Sequence, residues 1–139
     1  MRILVIDADA SVLTATLRAE GHQVDIATDG LSGLARALAA SHALIVLEAD
    51  LPGLDGLTLC QRLRERRVFT PILITGALDS PARRAEALIA GADDALCKPC
   101  DPAELLARLA ALHRRAVGYG GGTRLQVDDL EFDLATAAV

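Results

Sequence analysis

Aromatic residues are almost absent: two Phe, one Tyr and no Trp make up 2% of the 139 residues. That excludes the stacking platforms on which single-stranded nucleic acids are held. Basic residues are also scarce, since 14 Lys and Arg stand against 19 Asp and Glu for a net charge of -5. With no electrostatic footprint for phosphates, this stretch of chain is a poor nucleic-acid binder. Cysteine is limited to Cys60, Cys97 and Cys100, an odd number that argues against a disulfide framework. Long apolar runs are missing too. The longest without a charge, Ala43 to Leu47, is about a quarter of what a membrane span needs. The opening Met-Arg-Ile-Leu-Val-Ile-Asp reaches a carboxylate before a signal-peptide core can form. A cytoplasmic protein without a membrane partner is the expectation.

What is present is apolar side chain, 52% of the residues, enough for a real core. Short runs rich in β-branched residues, Ile3–Ile6, Val24–Ala27, Ala43–Leu47, Ile72–Thr75 and Ala95–Cys97, alternate with Ala/Leu/Arg segments of helical period. Leu31/Leu34/Ala35/Leu38 and Leu105/Leu109/Leu112 illustrate the three- and four-residue steps that give each helix one apolar stripe. Unalternating apolar strands belong to a parallel sheet covered on both faces, and right-handed crossovers leave few ways to wind five of them. The expected fold is α/β, a doubly wound five-stranded parallel sheet in order 2-1-3-4-5. Asp101-Pro102-Ala-Glu104 reads as the start of the last helix, and Gly21 and Gly91 read as stops for the first and fourth.

In a doubly wound sheet, ligands bind beyond the carboxyl ends of the strands where the winding reverses. That rule selects Asp7-Ala8-Asp9 after strand 1, Glu48-Ala49-Asp50 after strand 3, Thr75-Gly76 after strand 4 and Cys97-Lys98-Pro99 after strand 5. Clustered carboxylates repel, so such a rim needs a cation, either a hard metal ion or the Lys98 ammonium. Acids near helix starts are also common as simple caps, and spacing alone leaves the choice open.

At these residues the chain resembles the response-regulator receiver domains, specifically those of the OmpR/PhoB-type transcription regulators of two-component signalling. The resemblance covers residues 1 to about 116 and rests on five pieces in order: Arg2-Ile-Leu-Val-Ile-Asp7, Leu51-Pro-Gly-Leu-Asp-Gly56, Pro71-Ile-Leu-Ile-Thr75, Gly91-Ala-Asp-Asp94 and Lys98-Pro99. It implies the flavodoxin-like receiver fold. It also implies a phosphoryl group passed from a histidine kinase to an aspartate four residues before the proline of the Pro-Gly motif. Here that position is Glu48. The acidic pair that ends the family's strand 1 matches Asp7 and Ala8, so the metal-touching second acid is missing. Thr75 and Lys98 match the phosphate-contacting hydroxyl and ammonium, whereas the aromatic switch residue is Ala95.

Glutamate carries its carboxylate roughly 1.5 Å further than aspartate, into the place a phosphoryl group would take. In-line transfer needs a tightly positioned nucleophile and a metal to neutralise the transferring oxygens. The expectation is a site with no catalytic residue, no cofactor and Mg²⁺ binding weak at best. Asp9 and Asp50 complete the acidic pocket. The alternatives are a conventional receiver phosphorylated at Asp50 or Glu48, and a redox-responsive domain using the Cys97-Lys-Pro-Cys100 C-x-x-C. His22, His42 and His113 show no metal-ligand spacing and are expected to be solvated or capping.

Arg84, Asp94, Glu104 and Arg108 match the positions through which these receivers pair by two-fold salt bridges across helix 4, strand 5 and helix 5. The organisation expected is a receiver domain over 1–116, a Gly-rich linker over 117–124 and the first strands of a truncated winged-helix effector over 125–139. The reading is a receiver, not an enzyme, that dimerises independently of phosphate to position a DNA-binding domain in transcription regulation. DNA contact comes only through the effector part that this chain lacks, and a histidine kinase is a candidate partner.

Overall fold

The computed structural model describes residues 1–121. Five strands and five helices alternate: β1 (Arg2–Ile6), α1 (Ser11–Ala19), β2 (Gln23–Ala27), α2 (Gly30–Ala39), β3 (Leu44–Glu48), α3 (Gly56–Glu65), β4 (Ile72–Gly76), α4 (Pro81–Ile89), β5 (Asp94–Cys97) and α5 (Pro102–Gly121). The strands form one parallel sheet in the order β2-β1-β3-β4-β5. This is the doubly wound order expected from the apolar runs. β1 and β3 lie side by side at the centre in the register Ile6↔Leu47, and β3 meets β4 with Glu48 opposite Thr75.

The strands are apolar throughout because both faces are covered: Ile3, Leu4, Ile6, Leu44, Leu47, Ile72, Leu73 and Ile74 are each fully buried. Helix starts follow local chemistry. The Asp29, Asp55 and Ser80 side chains accept from the backbone N–H groups of Ser32, Thr58 and Arg83, so α2, α3 and α4 each have an N-terminal donor satisfied. Asp101 does the same for α5, accepting from the Ala103 N–H at 2.7 Å. Gly21 and Gly91 take positive φ just past α1 and α4, the left-handed residue that ends a helix.

Gly56 opens α3 directly against the end of β3, where a Cβ would lie 2.2 Å from the Glu48 carbonyl oxygen. Only hydrogen fits there without moving backbone. Gly56→Ala therefore forces α3 away from β3, and an increase of about 1–3 kcal/mol in the ease of unfolding is expected from such overpacking. Urea denaturation midpoints of the two proteins measure it.

The described residues fall in two units, Met1–Leu109 and 110–121. The first contains the whole sheet. In the second, the described residues 110–121 are helical, with Gly118 at φ +72°. Helix α5 thus runs into residues 117–121 of the expected linker. The rest of that linker and the expected effector strands over 125–139 lie outside the described residues. No helix among the described residues is long and apolar enough to cross a membrane.

Candidate functional site

Parallel strands deliver their carboxyl ends to one rim, so residues far apart in sequence meet there. Asp7 follows β1, Glu48 closes β3, Thr75 lies beside it in β4, and Lys98 follows β5. All but Lys98 are buried: Asp7, Glu48 and Thr75 retain 5%, 8% and 1% of their accessible surface. The Lys98 Nζ donates to Asp7 Oδ2 and to Glu48 Oε1, each at 2.5 Å. It is the only lysine in the chain.

Each remaining carboxylate oxygen also has a partner. Asp7 Oδ1 accepts from the Asp9 N–H at 3.0 Å, and Glu48 Oε2 accepts from the Asp50 N–H at 3.0 Å. Gly76 makes the second arrangement possible, because at φ +146° it leaves bare the spot where a Cβ would come within 2.7 Å of Glu48 Oε2. Burial alone would lower the Lys98 pKa, but hydrogen bonds and charge from Asp7 and Glu48 outweigh it and hold the ammonium above its ordinary value. The carboxylate cluster thus has its cation inside the chain, and Lys98 fills the role left open between a metal ion and an ammonium.

Of the expected pocket acids, only Asp7 and Glu48 converge on Lys98. Asp9 makes no contact with Lys98: its Oδ1 accepts from the Ser11 hydroxyl at 2.8 Å, and the Ser11 hydroxyl and N–H hold its pKa below the usual carboxylate range. It orders the turn into α1, whose own N-cap, Ala10, has no side chain to do so. Asp50 is exposed and enters the site only through its N–H. The Thr75 hydroxyl is buried and finds no hydrogen-bond partner among the described residues. Ala95 is buried in the core.

The magnesium ion that the resemblance implies does not fit these donors. A hard cation wants several free oxygens, whereas Asp7 and Glu48 already share Lys98, Ala8 offers no side-chain oxygen, and Asp9 is engaged with Ser11. Among the described residues, no three His, Cys, Asp or Glu side chains are grouped to hold a metal.

The C-x-x-C residues are both half-buried. Cys97 Sγ donates to the Lys98 carbonyl at 3.4 Å. Burial pushes the Cys100 thiol above its ordinary value, against the opposing pull of Lys98, so its reactive thiolate is scarce at neutral pH. Cys60 is fully buried and pushed up to about 11 by that burial. His42 also departs from a solvated role: its ring, 2% exposed, bonds the Asp25 carboxylate at 2.8 Å.

Arg108 bonds Glu104 at 2.9 Å and Asp94 at 3.1 Å within the same chain. Arg84 donates to the Leu78 carbonyl at 2.8 Å. Beside them Leu88 and Ile89 of α4 stand 49% and 84% exposed. Leu105 is 4% exposed and belongs to the interior, as its place on the apolar stripe of α5 implies, and not to this face.

Residues 3–110 match the response regulator receiver domain family. The chain belongs to that family. As a receiver domain it is a signalling module and not an enzyme. It is 42% identical over 118 residues to the transcriptional regulatory protein TcrA of Mycobacterium tuberculosis, a match that covers 83% of this chain and 47% of that protein. The chain thus spans about half the length of the regulators it resembles. Among solved structures, the receiver domain of the Francisella response regulator 1452 superposes with a TM-score of 0.78 at 32% identity, over 83% of this chain and 98% of that one. The receiver domain of a Pseudomonas aeruginosa sensor histidine kinase, solved with a magnesium ion coordinated in its active-site cleft, gives 0.73 at 29% identity, over 81% and 96% of the two chains.

Proposed function

We propose that this receiver is held in one state by its own side chains and passes its signal through assembly, without accepting phosphate. The observation that carries the reading is the Asp7–Lys98–Glu48 triad, in which each carboxylate oxygen of Asp7 and Glu48 already accepts a hydrogen bond. In-line transfer needs a nucleophile aimed at phosphorus and a metal on the transferring oxygens. Both Glu48 oxygens are instead turned to Lys98 and the Asp50 N–H, and Ala8 leaves a metal short of a donor. Asp50 is a poor substitute, because its exposed side chain is fixed by no contact to Lys98 and effective transfer depends on such positioning. The same permanent carboxylate on Lys98 supplies part of the charge that a phosphate would bring.

The output in this reading is a two-fold dimer through α4, β5 and α5 that positions a DNA-binding domain in a cytoplasmic transcription regulator. Resemblance to a regulator about twice this length supports it. A histidine kinase that docks on this chain does so without transferring phosphate. Arg84 and Leu88 are four residues apart and share one stripe of α4, and Glu104 and Arg108 do the same on α5. Exposed ion pairs contribute only about 0.2–1 kcal/mol each. The charges therefore set the register, and Leu88 with Ile89 supplies the apolar contact. Sedimentation equilibrium of the phosphate-free chain is expected to show a dimer at high micromolar concentration. Arg108→Glu, which puts like charges near Asp94 and Glu104 in both copies, and Leu88→Glu should each give a monomer. A wild-type monomer, or dimers in both variants, contradicts this interface.

A further inference from the structure

A cavity of about 240 Å³ opens on the same rim, between the first turns of α1 and α5. Its floor is Asp7, Thr75 and Lys98, and its walls are largely apolar, including Val12, Leu13, Pro102 and Leu105. Its size suits a fragment of about ten non-hydrogen atoms, below the range of drug-sized pockets. Two groups on the floor have hydrogen-bonding capacity left over. The Thr75 hydroxyl is buried without a partner, and a lysine ammonium has three donors, of which Lys98 uses two. Both carboxylate oxygens of Asp7 are already acceptors. The unmet demand at the floor is therefore for an acceptor.

Charge decides which kind of acceptor. Asp7 and Glu48 contact the single Lys98 cation and the exposed Asp9 lines the same cavity, so the rim is net negative and opposes an anion. A cation at the floor would face the Lys98 ammonium. We propose that this cavity binds a small neutral molecule that carries one carbonyl-type oxygen on a short apolar body. The oxygen accepts from Lys98 and Thr75, and the body packs on Val12, Leu13 and Leu105. The inference stands apart from the question of phosphate acceptance, and its test uses a different readout.

The probe is ε-caprolactam, a neutral ring with one strong acceptor, set against cyclohexanecarboxylate and cyclohexylammonium. Each is titrated into the 139-residue chain and followed by ¹H–¹⁵N correlation spectra. The lactam should shift the amides of Val12, Leu13, Thr75 and Lys98 saturably, with a dissociation constant in the millimolar range suited to so small a ligand. Both charged analogues should bind at least threefold more weakly. Thr75→Val should weaken the lactam at least threefold. Val12→Trp, at a position 75% exposed and so tolerant of size, should abolish the shifts by filling the mouth. No saturable shift at these amides, tighter binding of either charged analogue, or unchanged lactam affinity in both variants would overturn the proposal.

Discussion

Lys98→Met should unfold about 3 kcal/mol more easily than the wild type near neutral pH, at the lower end of the effect of removing one partner from a buried ionic cluster. The lower end is appropriate because the Lys98 side chain is 36% exposed, whereas those of Asp7 and Glu48 are 7% and 10% exposed. Water reaches the ammonium more easily than the acids. Without it, two enclosed carboxylates face each other with no cation between them. In the wild type the Lys98 pKa is raised above the ordinary 10.5, so the stabilisation from that group is complete below this value and is lost as pH climbs through the folded one. The variant has no such group and no such alkaline loss. Melting temperatures of both proteins between about pH 7 and pH 11 compare the two. Equal alkaline losses would mean that Lys98 is not the cation of this cluster.

The second large effect concerns gain of function. Glu48→Asp alone should remain unphosphorylated by acetyl phosphate and Mg²⁺, because shortening the side chain vacates the phosphoryl position but leaves Ala8 unable to hold the metal. Glu48→Asp combined with Ala8→Asp should accept phosphate to a substantial extent. The shorter carboxylate withdraws from Lys98, and the new acid supplies an oxygen donor beside Asp7. Ala8 is exposed, so an added carboxylate has room. Intact mass spectrometry reads the outcome, and equal labelling of the single and double variants would show that Ala8 is not the missing part.

The fold was legible in the sequence because burial is non-directional: an uninterrupted apolar run such as Leu44–Leu47 needs no particular partner to mark a covered strand. The strands observed differ from the apolar runs by a residue at some ends, as where β3 omits Ala43 and includes Glu48. Sequence also brought Asp7, Glu48, Thr75 and Lys98 to one rim, since parallel strands fix where their ends lie.

It left open which groups pair there. Spacing does not report that Asp9 turns to Ser11, or that Asp50 contributes an N–H and not its carboxylate. Such choices depend on hydrogen-bond reach in space. Periodicity likewise put Leu105 on a stripe without saying how far it sinks. At the far end of the sheet, Arg64 joins the carbonyls of Val68, Thr70 and Gly91 to the Asp93 carboxylate. That bridge was invisible in a sequence where Arg64 is one of many arginines on helices.

The central claim is that Glu48, held by Lys98, does not accept phosphate. The direct measurement is intact mass spectrometry of the wild-type chain after incubation with acetyl phosphate and Mg²⁺, with the Glu48→Asp, Ala8→Asp double variant as the positive reference. The account predicts an unchanged wild-type mass under conditions that label the double variant. A stable gain of one phosphoryl group by the wild type, mapping to Glu48 or Asp50, would contradict it.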